Sequence, residues 1–112
     1  MNYFRFDLYC DFSILPTLIE NKALLIDLRP AYLFATYSIP GFINIPYTIF
    51  YNYLPSFDKQ KPLYLLCSSG KVSKEVAYDL VSKGYLAHSF IGGIALYNQK
   101  FDPKLFWIMY VE

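Results

Sequence analysis

The residues best suited to chemistry form a short segment, CSSGKVS, from Cys67 to Ser73. It joins an apolar run to a helical pattern through a polar loop. Successive backbone N–H groups of such a loop can point at one spot, and the positive end of the following helix adds to the same field. Gly70 permits a backbone angle that other residues resist, and Lys71 adds a positive charge nearby. We therefore expect a stabilised, nucleophilic thiolate at Cys67, in a pocket that could also hold the outer sulfur of a persulfide.

The two cysteines differ in this respect. A cysteine at a strand end is by itself more often a small buried hydrophobe than a nucleophile, but the loop after Cys67 favours the nucleophile. Cys10 lies between Tyr9 and Asp11 with no such loop, and we interpret it as structural. Nothing in the sequence requires a disulfide between them. The single histidine, His88, lies in an apolar strand pattern and is interpreted as structural, and one histidine without a CxxC pair argues against a zinc site.

Apolar runs at residues 23–28 and 63–67 have the pattern of parallel strands that are covered on both faces. Further strands are predicted at 42–45 and 86–91, with a short edge strand at 3–8. Helices are predicted at 14–20, 30–37, 47–54 and 73–82. This alternation predicts an α/β fold of three layers, with a mostly parallel central sheet of about five strands and helices on both faces. Sites in such folds lie at the carboxyl ends of the strands, which places residues 27–30 and those from Cys67 onward on the functional edge.

Length and composition bound the remaining possibilities. The 112 residues are 55% hydrophobic and 17% charged, and the formal net charge is +1. These values predict one packed domain over residues 1–112 and exclude a disordered chain. A near-neutral chain has no general attraction to nucleic acid or to anionic membranes, and no run approaches the about 18 apolar residues of a membrane helix. Two thiols without an export signal predict a cytoplasmic location, and the Lys-rich, Arg-poor composition is typical of an AT-rich bacterial genome.

Five segments, in order and at the expected spacing, resemble the rhodanese-like sulfurtransferase family. They are LIDLR (25–29), SIPGFINIP (38–46), KP with the apolar strand and CSSGKVS (61–73), a helix leading to KGY (83–85), and IGG (91–93) followed by Tyr97. The resemblance covers roughly residues 23–98 and leaves 101–112 as an aromatic C-terminal extension. Each segment alone is a weak signal, but their common order makes the resemblance specific.

The resemblance implies that Cys67 accepts sulfur as a persulfide, without a metal or an organic cofactor. The implied donor is thiosulfate or a persulfide, and the implied acceptor is cyanide or a cellular thiol, with a protein acceptor as an alternative. Main-chain N–H groups of the loop would hold the persulfide, and Ser73 would cap the following helix. The loop residues are Ser68, Ser69, Gly70, Lys71 and Val72.

The resemblance also assigns residues around the loop. Asp27 and Arg29 match a pair that supports the loop, although a salt bridge at the surface would also explain them. Gly92 and Gly93 are expected to allow a close backbone approach. Val72 stands where arginine is common in the family, which predicts weaker binding of a substrate anion.

Further departures from the family pattern and the aromatic content lead to additional predictions. Lys71 is expected to compensate in part for Val72. Ser38 replaces a common histidine and Tyr97 a common tryptophan, both interpreted as packing differences. Aromatic residues make up 21% of the chain. Four of them precede the cysteine strand and are predicted to line the entrance to the site, which would suit a protein or a bulky thiol acceptor; they are Tyr47, Phe50, Tyr51 and Tyr53.

Two other functions stay open. A cysteine phosphatase or arsenate reductase would need an arginine six positions after the cysteine to clamp an oxyanion with two hydrogen bonds, but that position is Ser73. The alternative is a low-activity or non-enzymatic rhodanese-like module that binds a protein or relays sulfur. Val72 is the residue that leaves room for this alternative.

Overall fold

A five-stranded parallel sheet forms the centre of the part of the chain that the computed structural model describes, residues 8–101. In chain order its strands are β1 (Tyr9–Cys10), β2 (Leu24–Asp27), β3 (Ile43–Asn44), β4 (Leu63–Leu66) and β5 (Ala87–Phe90). They lie side by side in the order β1-β5-β4-β2-β3, and every pair is parallel. The carboxyl ends of β2 and β4 are therefore neighbours at the middle of one edge.

Helices connect the strands. They are α1 (Leu15–Glu20), α2 (Ala31–Thr36), α3 (Tyr47–Tyr53), α4 (Lys71–Ser82) and α5 (Gly93–Phe101), with short 3-10 turns at Phe12–Ile14 and Leu54–Ser56. Alternate strand residues point to opposite faces of the sheet. Ile26 and Leu65 accordingly pack in one buried cluster with residues of α3 and α4, and Leu25 and Leu66 in another with residues of α1 and α5. The predicted α/β fold with helices on both faces is confirmed.

The strand predictions hold where a segment is apolar on both faces. Leu25, Ile26, Leu65 and Leu66 are all nearly inaccessible to solvent, which explains the continuous apolar runs of β2 and β4. The edge strand predicted at 3–8 lies outside the described residues except for Leu8, which is not in a strand. The edge strand that the structure does contain is β1, which pairs with β5.

Two helical features differ from the prediction. α4 begins at Lys71, two residues earlier than expected, because Gly70 adopts a left-handed φ of 92° directly before it. α5 was not predicted, because the residues after the glycines at 92 and 93 were assigned no element. The extension at 101–112 lies outside the described residues apart from the backbone of Phe101.

No helix among residues 8–101 is long and apolar enough to cross a bilayer. The cytoplasmic location and the extent of a single domain over residues 1–112 stay predictions.

Candidate active site

Cys67 lies directly after β4 at the carboxyl edge of the sheet. The N–H of Leu28 donates to the carbonyl of Leu66 at 2.7 Å, which holds the end of β2 beside it. Two backbone groups donate to the Cys67 sulfur, the N–H of Gly70 at 3.1 Å and the N–H of Ser73 at 3.2 Å. The sulfur also lies in front of the N-terminus of α4. N–H donors and a helix N-terminus are both groups that favour a negative charge on sulfur, and the stabilised thiolate expected at Cys67 stays a prediction.

The loop after Cys67 is held from behind by the start of α5. The N–H of Ile94 donates to the carbonyl of Cys67 at 2.9 Å, and the N–H of Ala95 donates to the carbonyl of Ser68 at 3.0 Å. A Cβ atom at Gly93 would lie 2.7 Å from the nitrogen of Gly70, closer than real Cβ contacts allow. The predicted close backbone approach is therefore present at Gly93, where it joins α5 to the cysteine loop.

Ser73 does not cap α4, so that prediction is wrong. The helix already begins at Lys71, and Ser73 is its third residue, fully buried under the loop. Its hydroxyl oxygen lies 3.3 Å from the sulfur of Cys67 and 2.7 Å from the hydroxyl of Ser89 on β5. Ser89 is also buried and was not identified from the sequence, where nothing distinguishes it from a strand residue.

Asp27 and Arg29 form a buried ion pair, so the interpretation as a surface salt bridge is wrong. The two side chains are almost inaccessible to solvent, and the guanidinium contacts both carboxylate oxygens at 2.9–3.1 Å. The same guanidinium donates to the carbonyl of Tyr37 at 2.6 Å. The amide of Asn44 donates to the carbonyls of Asp27 and Arg29. The pair thus fixes the segment that follows β2, and its support of the cysteine loop stays a prediction.

A cavity of about 330 Å³ opens beside the sulfur. Its wall combines the ends of β2, β3 and β4 with the starts of the helices that follow them. The lining residues are Leu28, Arg29, Pro30, Pro46, Tyr47, Thr48, Cys67, Ser68, Ser69 and Val72. Pro46 and Thr48 were missed, although extending the strand-end rule to β3 would have found them.

Lys71 does not line this cavity. It lines a separate cavity of about 300 Å³ behind the loop, together with Tyr9, Lys74 and Ser89. Successive helical residues point about 100° apart, so Lys71 and Val72 project to different sides of α4. The expectation that Lys71 replaces a charge missing at Val72 is therefore not met.

The four aromatic residues predicted at the entrance lie in four different surroundings. Tyr47 lines the cavity and is 49% exposed, as expected. Tyr51 lines an adjoining cavity that shares Tyr47 and Val72 with the first. Phe50 is completely buried in the core, so its assignment to the entrance is wrong, and Tyr53 is exposed but lines neither cavity.

The remaining titratable candidates lie apart from this cavity. Cys10 and Cys67 are both free thiols. Burial, and to a smaller extent the charge of Asp11, raises the pKa of Cys10 to about 12. His88 stacks on the ring of Tyr64 at a centroid distance of 5.0 Å and does not line the cavity.

A family model described as a rhodanese-like domain matches residues 13–100. The chain belongs to the rhodanese-like family. The match includes β2, β4, the cysteine loop and α4, and most of α5, so the predicted resemblance is confirmed over a longer range than the motifs alone covered.

Individual relatives of this rhodanese-like chain include sulfurtransferases. It is 34% identical over 80 residues to a tRNA sulfurtransferase of Desulfurococcus amylolyticus, a match that covers 71% of this chain and 16% of that protein. It is 29% identical over 86 residues to the thiosulfate sulfurtransferase GlpE of Pseudomonas savastanoi, covering 76% of this chain and 81% of the relative. Among solved structures, reduced CoADR-RHD of Bacillus anthracis superposes with a TM-score of 0.73 at 29% identity, covering 80% of this chain and 16% of that one. The chain thus spans about a sixth of the length of two of these relatives.

Proposed function

We propose that this chain is a sulfurtransferase that carries sulfane sulfur as a persulfide on Cys67. The donor is thiosulfate or another compound with a sulfane sulfur, and the acceptor is thiophilic, such as cyanide or a cellular thiol. The observation that carries the proposal is the pair of N–H donors on the Cys67 sulfur. The same sulfur borders an open cavity, which a sulfur donor could enter.

The chemistry needs only a nucleophilic sulfur and a place for one more sulfur atom. After its proton has left to solvent, the thiolate attacks the terminal sulfur of the donor, and the donor's own S–S bond breaks with its electron pair on the leaving group. The acceptor then attacks the outer sulfur and returns the Cys67 thiolate. The N–H groups of Gly70 and Ser73 stabilise the anionic sulfur before and after the transfer.

The alternative of a phosphatase has little support in the site. The chain has two arginines. The guanidinium of Arg29 already donates to the carboxylate of Asp27 and the carbonyl of Tyr37, and Arg5 lies outside the described residues. The position six after the cysteine is Ser73, whose neutral side chain cannot pair with an oxyanion as arginine does.

Mass spectrometry tests the proposal directly. The reduced chain is incubated with a sulfane-sulfur donor, and the Cys67 peptide should gain one sulfur atom, about 32 Da. Added cyanide should remove this sulfur and release thiocyanate. If no donor adds sulfur to Cys67, the proposal is wrong. Loading without release to cyanide or to thiols would favour the module that relays sulfur to a protein partner.

A further inference from the structure

The charges around the Cys67 cavity are unusual for a site that would take a dianion. Among residues 8–101, the only charged side chain that lines the cavity is that of Arg29. Its guanidinium is buried and already binds the carboxylate of Asp27 and the carbonyl of Tyr37. No free cationic side chain of the described residues therefore lines the cavity to pair with a bound anion.

The other groups on the wall are apolar or neutral. Leu28, Pro30, Pro46 and Val72 supply the apolar surface, beside the ring of Tyr47. The polar side chains of this wall are hydroxyls, from Thr48, Ser68 and Ser69. Hydroxyls can donate hydrogen bonds to an anion, but they carry no charge to balance it.

The nearby charges lie outside the cavity. Lys71 and Lys74 line the separate cavity behind the loop. On the far side of the wall formed by Tyr47 and Val72, the adjoining cavity of about 250 Å³ is lined by the carboxylates of Glu75 and Asp79. The N–H groups on the Cys67 sulfur favour one negative charge at the reacting sulfur, but a second charge further along the donor meets no opposite charge among the described side chains of the cavity.

We propose that the site takes its sulfur from an organic donor, which has an apolar group in place of the second negative charge, in preference to the thiosulfate dianion. This inference rests on the proposed function. The Cys67 sulfur forms a bond to the terminal sulfur of the donor while the donor's bond to that sulfur breaks. For an organic thiosulfonate the electron pair leaves on the sulfinate, and for thiosulfate it leaves on sulfite. Sulfur passes at its existing oxidation level, so no oxidant or reductant is required.

Thiosulfate and benzenethiosulfonate make a matched pair of donors, because a phenyl ring replaces one charged oxygen on the same sulfonyl group. The reduced full chain is mixed with each donor and quenched with iodoacetamide at timed intervals. The rate at which sulfur appears on the Cys67 peptide is then measured by mass spectrometry. Each donor is also mixed with 2-mercaptoethanol, and the rate at which sulfite or sulfinate is released is measured. The ratio of these two rates is the intrinsic reactivity ratio of the donors.

We expect the rate ratio of benzenethiosulfonate to thiosulfate on Cys67 to exceed that on 2-mercaptoethanol by about tenfold, because only the dianion carries an unbalanced charge into the cavity. A ratio equal to or below that of 2-mercaptoethanol overturns the inference and leaves the proposed function intact. Loading by neither donor overturns both.

Two variants of Val72 test the missing charge itself. Val72→Arg and Val72→Met introduce side chains of comparable length, and only the first is charged. Val72→Arg should load from thiosulfate about tenfold faster than Val72→Met, with a smaller difference for benzenethiosulfonate. Equal thiosulfate rates in the two variants would contradict the inference. The melting temperatures of both variants show whether they are folded. If either variant is unfolded, the rate ratio of benzenethiosulfonate to thiosulfate on the unmodified chain remains the test of the inference.

Discussion

Cys10 and Cys67 both lie at the carboxyl end of a strand but have opposite surroundings. Each lies at the carboxyl end of a parallel strand, each is a free thiol, and their exposed fractions are 9% and 5%. Cys10 lies in an apolar cluster with Phe12, Leu15 and Phe90. Cys67 accepts two backbone N–H bonds at the start of a helix.

The comparison shows that two cysteines of similar burial can have very different chemical surroundings. At Cys10 burial is the main cause of a pKa raised to about 12, so the thiol keeps its proton. At Cys67 a similar degree of burial comes with two backbone N–H groups that donate to the sulfur. What distinguishes the two positions is the loop that follows the strand.

The largest expected effect on sulfur loading comes from replacing each cysteine in turn by serine. Cys67→Ser should abolish sulfur loading, because the hydroxyl is a far weaker nucleophile at neutral pH, and Cys10→Ser should leave loading within about twofold of the unmodified chain. Mass spectrometry of the two peptides and thiocyanate release measure both variants. Sulfur transfer that survives in Cys67→Ser and disappears in Cys10→Ser would reverse the assignment.

Alkylation of the unmodified chain compares the same two thiols without mutation. Iodoacetamide at pH 8 should modify Cys67 at least about a hundredfold faster than Cys10, because the reagent attacks thiolates and Cys10 is both buried and protonated. Raising the pH towards 12 should narrow the difference, since Cys10 begins to ionise there. Peptide mapping at timed intervals gives the two rates. Equal rates at pH 8 in the folded chain would contradict the comparison.

Crowding the loop that sets Cys67 apart should lower its activity. In Gly93→Ala the added methyl group collides with the backbone of Gly70, so the loop must shift and the loading rate should fall at least about tenfold. Gly84→Ala is the matched control. Like Gly93, with a φ of 62°, it has a left-handed φ, here 92°, but its new methyl group meets only the side chain of Lys59 at 3.9 Å. Gly84→Ala should lower the melting temperature and leave the loading rate unchanged. If both variants lose the same loading rate, backbone strain and not the contact with the cysteine loop is the cause.

The smallest expected effect concerns Ser89, which touches Cys67 only through Ser73. Ser89→Ala removes a 2.7 Å hydrogen bond to the hydroxyl of Ser73. The loading rate should fall about two- to fivefold, the lower part of the range for one hydrogen bond, because Ser89 acts on Cys67 only through Ser73. Ser89→Thr keeps the hydroxyl and should restore the rate. If the threonine variant is as slow as the alanine variant, packing at this position is responsible.

The sequence predicted those parts of the site that depend on local order. The positions of Cys67 and Gly70 follow from an apolar strand, a polar loop and a helix in succession, and the parallel sheet places the end of β2 beside them. Side-chain direction could not be read in the same way. Lys71 points behind the loop because α4 begins two residues earlier than its pattern indicates, and Phe50 points into the core from a helix with an otherwise exposed surface.

Contacts between distant segments were also beyond the sequence. The burial of Asp27 and Arg29 depends on the carbonyl of Tyr37 and on Asn44 from the next strand. In the sequence Ser89 is only one residue of a predicted strand, and its contact with Ser73 is visible only in the folded chain. α5 is a further example, because its role lies in the contact of its first turn with the cysteine loop.

That contact has a consequence for the lifetime of the site. The cysteine loop can rearrange only if the hydrogen bonds from Ile94 and Ala95 to its carbonyls break first. Opening of the loop therefore breaks both bonds and frees the N–H groups of Ile94 and Ala95. The amide protons of these two residues should exchange with solvent only through states in which the loop has moved away from α5. The kinetic stability of the sulfur site thus depends on a helix that contributes no side chain to the cavity.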